Sequence, residues 1–194
     1  GQAVLGNILS SFQLSFAKSI RIGDLVIFEG QWCYVEGIFY TFIRLRTWDE
    51  RRLIVPVTYF TSKPFENLSV KSTKMYRFLE VSLHLSADID VLRNKFIEFA
   101  KEEDSVIEHH KLLCYVTAQT GTAQTVTCYL MTSDPMAGWA AEMSVREKLL
   151  AFIRDNYPKW WPREIVVISH NDIARGTQGK NSGEVDSVEV KPSE

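Results

Sequence analysis

The stretch "LVIFEGQWCYVEGIFYTFIRLRTWDERRLIVP", Leu25 to Pro56, sets short runs of alternating apolar and polar residues between turn-forming pairs, and this alternation most constrains the fold. A period of two places successive side chains on opposite faces of an extended chain, so each run reads as a half-buried strand. Leu25 to Glu29 and Trp32 to Gly37 flank Gly30-Gln31, which reads as a tight turn. Thr41 to Trp48 alternates through Ile43, Arg44, Leu45 and Arg46; Asp49-Glu50 then turns the chain into Arg51 to Val55. Pro56 has no N–H to give to a ladder and stops the run. Strands this short and this close in sequence predict a small barrel or twisted sheet. "TYFTSKPFENLSVKSTK" follows as a short helical turn and a linker.

From Met75 the rhythm changes. "MYRFLEVSLHL" reads as a longer strand, and Asp88 can cap a helix whose Ile89, Leu92, Phe96 and Phe99 share one face. "KLLCYVTAQTGTAQTVTCYLMTS" predicts a hairpin turning near Gly121. Gly138 to Tyr157 predicts a second helix with Ala141, Val145, Leu149 and Phe152 inward and a Glu142 to Arg146 pair outward. Pro162 precedes a last strand, Glu164 to Ile168. The order β-α-β-β-α-β is that of a ferredoxin-like, split βαβ unit. The polar residues 169–194 predict a flexible tail.

The chain begins differently. Its first seventeen residues carry no charged side chain, and Leu5, Ile8, Leu9, Phe12 and Phe16 recur at helical spacing opposite Asn7, Ser11, Ser15 and Lys18. Gly6, Ser10 and Ser11 are small enough for a neighbouring helix to come close. Three serines, Asn7 and two glutamines interrupt the stretch, against the roughly 20 apolar residues of a spanning helix. It also lacks the basic leader and cleavage pattern of a secretory signal. A start without methionine predicts that the natural protein continues upstream.

Composition excludes more than it selects. With 194 residues, 45% of them hydrophobic and 24% charged, the chain can bury a core, and a net charge of −2 lacks the basic footprint of a nucleic-acid binder. Cys33, Cys114 and Cys128 are odd in number and widely spaced, which fits no disulfide framework and no CxxC motif, and predicts a reducing compartment.

The ordered series "GNILSSFQLSFAKSIRIGD", "VEGI", "LRTWDERRLIVP" and "KPFENLS", ahead of a βαββαβ unit, resembles the small-conductance mechanosensitive channels from about Gly1 to Ile168. The resemblance implies an α+β fold in four parts: residues 1–21 as the amphipathic end of a pore helix, 22–72 as a small Sm/SH3-like β barrel, 73–168 as the ferredoxin-like domain, and 169–194 as the tail. It implies a homo-oligomer, seven subunits around a hollow cytoplasmic vestibule, whose first segment lies along the inner membrane surface. Its partners would be the bilayer and permeating ions, with neither cofactor nor metal. Gly6, Asn7, Ser10 and Ser11 would pack the pore helix near its kink; Lys18 and Arg21 would meet the lipid surface; Gly23-Asp24 would turn into the β domain. Gly37, Arg46, Asp49, Pro56 and Asn67, with Leu68 and Ser69 beside it, occupy further matching positions. Two departures stand out. Glu50 replaces the glycine that commonly follows the Asp of the hairpin, and Pro56-Val57 replaces a Pro-Asn pair.

Nothing in the chain isolates a catalytic set. His109-His110 lies in the glutamate-rich "EEDSVIEHHK" and reads as a solvated turn, and His84 reads as an ordinary strand residue. Cys114 and Cys128 would face each other across the predicted hairpin, which makes a disulfide geometrically possible, although two small buried hydrophobes is the plainer reading. Trp160-Trp161 reads as packing over a helix end, and the Arg44, Arg46, Arg51, Arg52 group as a salt-bridged face or, more sharply, a subunit interface or ion-path lining. The rival function is an RNA-binding pair of Sm-like and RRM-like modules, which lacks the RNP pattern in "KLLCYVTAQTG" and "TVTCYLMTS". A ferredoxin-like hydrolase lacks a phosphate-cradling loop.

Overall fold

In the computed structural model, which describes Leu5, residues 19–164 and residues 191–192, strand β1 (Leu25–Phe28) doubles back through Glu29 and Gly30 into β2 (Gln31–Ile38). The turn is therefore Glu29-Gly30, one residue earlier than the sequence suggests. Both turn residues have positive φ, 48° and 77°, and Phe28 pairs with Gln31. A two-residue hairpin whose twist matches its strands needs that backbone, and Gly30 supplies half of it without steric cost.

The chain divides into two units, Gly1–Met75 and Tyr76–Glu194. In the first, β3 (Phe42–Thr47), β4 (Arg52–Pro56), helix α1 (Val57–Ser62) and β5 (Phe65–Asn67) complete a five-stranded antiparallel sheet in the order β4-β3-β2-β1-β5. The segment read as a linker thus contains β5. Three residues are too few to show a period, and only pairing with β1, with Val26 opposite Asn67 and Phe28 opposite Phe65, makes them a strand. Alternation in β3 is as expected: Ile43, Leu45 and Thr47 point inward. They join Ile20, Val26, Phe28, Cys33, Val35, Val55 and Phe60 in the buried interior. Phe60, from α1, is fully buried, stacks on Phe28 at 4.8 Å and meets Phe65 at 4.8 Å with the rings tilted by 45°.

Register shifts between Val35 and Gly37, so Glu36 is the extra residue of a β-bulge. The bulge turns its carboxylate onto Arg44 and Arg52.

In the second unit β6 (Met75–His84) lies beside β8 (Ala123–Thr132), which pairs antiparallel with β7 (Leu113–Gln119), giving the order β6-β8-β7. Helix α2 (Ile89–Lys101) starts at Asp88, whose Oδ1 accepts from the Asp90 and Val91 amides at 3.0 and 3.3 Å. Its buried residues are Leu92, Phe96 and Ala100, with Ile89 and Phe99 packed half-buried beside them. Helix α3 (Pro135–Asn156) begins three residues before the expected Gly138, because Asp134 caps it and Pro135 fits the first turn, where its missing N–H has no partner to lose. Ala141, Val145, Leu149 and Ile153 face the core. Phe152 is half-buried against it. Trp160 is buried and stacks 4.0 Å from Tyr157 at the helix end.

Glu142 is not outward. It is buried, bonded to Arg146 one turn on and to Arg77 on β6 at 3.1 Å. A 3.6-residue period cannot reveal a cation arriving from another strand, and Arg77 is what makes burial of this carboxylate tolerable. Gly138 lets α3 come this near: a Cβ there would stand 2.8 Å from Thr132 Cβ and 2.9 Å from Arg77 Cγ. Gly138→Val is expected to push the helix off the sheet and cost about 1–3 kcal/mol, read as a lowered denaturation midpoint with the helical circular dichroism retained at low denaturant.

Of the last strand, Arg163–Glu164 (β9) is described, paired with Lys191–Pro192 (β10) of the tail. Residues 165–168 lie outside the described residues, as do 169–190 and 193–194 of the expected tail.

Candidate functional site

Ser19 is helical and the last such residue before β1. The final carbonyls of a helix have no partner within it and must find one elsewhere. Here the Asn67 side chain supplies it: Nδ2 donates to the Ser19 carbonyl at 2.9 Å and to Asp24 Oδ2 at 2.9 Å. Asp24 Oδ2 also accepts from the Arg21 amide at 2.9 Å, and the Asp24 amide donates to the Arg21 carbonyl at 3.1 Å. Gly23, at φ 92°, makes this tight turn possible and donates to the Val35 carbonyl at 2.7 Å. On the other side Asn67 Oδ1 accepts from the Ser69 amide at 2.9 Å, and the Ser69 hydroxyl accepts from the Leu25 amide at 3.1 Å. Below the turn, Ile20 is only 2% exposed and belongs to the β-unit interior.

These groups form a clasp. A carboxylate and a carboxamide tie the end of a helix to β1 and β5 at once, and an apolar anchor sits beneath them. The chemistry is mechanical: displacement of Ser19 strains its hydrogen bond from Asn67, whose side chain is also tied to Asp24 and to the Ser69 amide.

Gly23, Asp24, Arg21 and Asn67, named separately in the sequence, thus meet at one place. Gly37, Arg46, Asp49 and Pro56 do not join them. Gly37 lies at the bulge under the Phe39 ring, which would stand 2.6 Å from a Cβ. Pro56 ends β4 opposite Phe42 and precedes α1. The next residue, Val57, donates its amide to the Thr41 carbonyl at 3.0 Å. Arg46 and Asp49 belong to the β3-β4 hairpin. There the Glu50 amide closes a turn onto the Thr47 carbonyl and Glu50 itself takes φ 64°. A left-handed residue after such a turn is why glycine suits this position. Gly6, Asn7, Ser10, Ser11 and Lys18 lie outside the described residues.

The arginine group is a salt-bridged lattice. Glu36 holds Arg44 at 2.9 Å and Arg52 at 3.2 Å, Glu50 holds Arg46 and Arg52, and Asp49 holds Arg51 at 2.8 Å. Arg46 also lies over the Tyr34 ring, 5.2 Å from its centre. The Arg52 guanidinium, with Arg44, holds the Glu36 carboxyl below its ordinary range, and the Thr47 hydroxyl with Arg51 does the same for Asp49. Carboxyls lowered in the fold bind fewer protons folded than unfolded. Their contribution is present above the unfolded values, about 4.3 for Glu and 3.9 for Asp, and is lost as pH falls through the folded ones. The β unit should lose stability on acidification below about pH 4, and Glu36→Gln should flatten that acid limb in urea titrations taken at successive pH values.

Ser19 and Glu36 were not visible as participants from sequence. The Asn67-Leu68-Ser69 triplet was the available signal, since an Asn whose side chain accepts from the amide two residues on is a recurrent turn device. Among the described residues no group of three or more His, Cys, Asp or Glu could hold a metal ion. His84 Nδ1 bonds the Ser86 hydroxyl at 2.8 Å.

Residues 3–70 match the family model "Mechanosensitive ion channel, beta-domain", and so span the whole clasp and the five-stranded sheet. The chain is MscS-like. An uncharacterized MscS family protein of Haemophilus influenzae is 25% identical over 114 residues, 59% of this MscS-like chain, which spans 10% of that relative. In fold, the chain resembles Helicobacter pylori MscS in its closed state, with a TM-score of 0.67 at 14% identity, over 87% of this chain and 72% of that one. Arabidopsis thaliana MSL1 aligns with a TM-score of 0.58 at 17% identity, over 78% of this chain and 56% of that one. At these identities the structures show likeness of fold. Among the described residues no helix is long and apolar enough to cross a membrane.

Proposed function

We propose that this chain is the vestibule-building part of a mechanosensitive ion channel subunit, and that its clasp passes motion between a pore helix and the β domain. The observation that carries the reading is the clasp itself: Asn67 and Asp24, inside the segment that matches the channel β-domain, bind the end of the preceding helix. Residues 1–21 act as the amphipathic end of the pore helix, with Gly6, Asn7, Ser10 and Ser11 packing against neighbouring helices. Lys18 and Arg21 meet an anionic inner-leaflet surface, a contact worth about 1 kcal/mol per basic residue. The β unit takes the Sm-like role and the second unit the ferredoxin-like one, whose strand order β6-β8-β7 is the 1-3-2 order of such a unit. The subunit works as a homo-oligomer, a heptamer, at the inner membrane with this chain on the cytoplasmic side, and its task is osmotic protection by ion release. It is not an enzyme. Membrane tension shifts the closed-open equilibrium only by its differential coupling to the two states, which is what the clasp supplies.

The RNA-binding alternative gains no support from the sheet. The face of β6 that carries Tyr76 and Phe78 continues into Glu80 and Ser82, and the same face of β8 offers Thr125, Thr127 and Tyr129, with no Lys or Arg in either row.

The test is survival of hypo-osmotic shock. The full-length subunit carrying this chain, expressed in cells stripped of their own tension-gated channels, should restore survival after dilution. Survival no better than with empty vector, at verified membrane expression, contradicts the reading.

A further inference from the structure

Cys114 on β7 and Cys128 on β8 are directly opposed in the antiparallel register, and both are free thiols. They are buried, 2% and 0% exposed, and their sulfurs stand 3.3 Å apart. Opposed residues on antiparallel strands have Cα atoms about 4.5–5.5 Å apart, inside the range of about 4.4–6.8 Å that disulfides span. The backbone is therefore already in place, and only the side chains must close to the bonded distance of about 2.05 Å. Arg93, reaching from α2, fixes one partner by donating from Nε to the Cys114 carbonyl at 2.9 Å.

We propose that Cys114 and Cys128 form a redox modification site, a dithiol that a peroxide converts reversibly to a cross-strand disulfide. This inference is independent of the channel reading. The Cys128 thiol donates to the Cys114 sulfur, and Cys114 lies on the outer strand β7 with Arg93 bound at its carbonyl, so Cys114 is the nucleophile. The Cys114 thiolate attacks one peroxide oxygen, the O–O bond breaks, and the leaving hydroxide takes a proton to become water. Cys114 is then a sulfenic acid. The Cys128 sulfur attacks it, the S–O bond breaks, and the departing hydroxide takes the Cys128 proton as a second water. Overall two thiols and one hydrogen peroxide give one disulfide and two waters; sulfur is oxidised and peroxide oxygen reduced. A dithiol reductant reverses the bond by exchange. Among the described residues β7 is an edge strand of its sheet, and opening of such an edge admits a molecule as small as peroxide. Cys33 lacks an opposed thiol, donates to the Gln31 carbonyl at 3.6 Å, and is raised by burial, so it serves as the internal control.

The experiment treats the folded full chain with hydrogen peroxide, quenches, denatures, alkylates and maps the digest by mass. The expected result is a Cys114–Cys128 peptide pair lacking two hydrogens, with Cys33 still alkylated and all three cysteines alkylated after dithiothreitol. Cys128→Ser should abolish the cross-link and leave Cys114 as a sulfenic acid trapped by dimedone. Cys33→Ser should leave the cross-link intact, which keeps the test decisive should the first variant fail to fold. Recovery of Cys114 and Cys128 as alkylated thiols, or cross-links through Cys33 instead, overturns the proposal.

Discussion

Asn67→Ala is expected to lower the stability of the β unit by about 2 kcal/mol and, in a full-length subunit, to shift the tension at which current appears. The side chain makes three hydrogen bonds, to the Ser19 carbonyl, to Asp24 Oδ2 and from the Ser69 amide. A neutral bond is worth about 0.5–1.5 kcal/mol net and one to a charge about 1.5–3, but this half-buried site lets water replace part of each. Asn67→Asp discriminates between shape and donation: it keeps the size, loses the donor, and places a second carboxylate against Asp24, so it should be at least as damaging as alanine. Urea unfolding followed by the fluorescence of Trp32 and Trp48, both in the β unit, reads the change. A variant with an unshifted midpoint would mean that the Asn67 hydrogen bonds do not stabilise the β unit.

Phe60→Ala should cost more, about 3–5 kcal/mol. The ring is fully buried, stacked on Phe28 and in tilted contact with Phe65, which themselves pair across β1 and β5. Truncation removes that contact and leaves a cavity which a sheet already fixed by its hydrogen bonds cannot close. A unit of this size has only several kcal/mol in total, so the variant should be largely unfolded in its first unit at room temperature. The signature is loss of the β-unit fluorescence transition with the second unit's helical circular dichroism retained. Phe60→Leu fills most of the volume and should cost far less.

Residues with a local cause were readable from sequence. Alternation placed Ile43 and Leu45 inward, Asp88 capped α2 as its spacing required, and the hairpin at Gly121 brought Cys114 opposite Cys128. What failed needed a partner distant in sequence. β5 exists only because β1 offers it an edge, and Glu142 is buried only because Arg77 arrives from β6. The turn at Glu29-Gly30 was misplaced by one because either glycine pairing satisfied the local rules, and only the Phe28 to Gln31 register decides between them. The clasp was half legible. Gly23, Asp24 and Asn67 stood out as motif positions, but Asp24 and Asn67 are 43 residues apart, and no periodicity joins two side chains at that distance to the Ser19 carbonyl.

The most direct test of the account is a patch-clamp recording, under stepped suction, of giant vesicles containing the full-length subunit, wild type against Asn67→Ala at matched protein content. Currents should appear with tension in the wild type and at a displaced threshold in the variant. Absence of any tension-dependent current in the wild type would contradict the channel reading, and coincident thresholds would remove the clasp from the path between membrane and β domain.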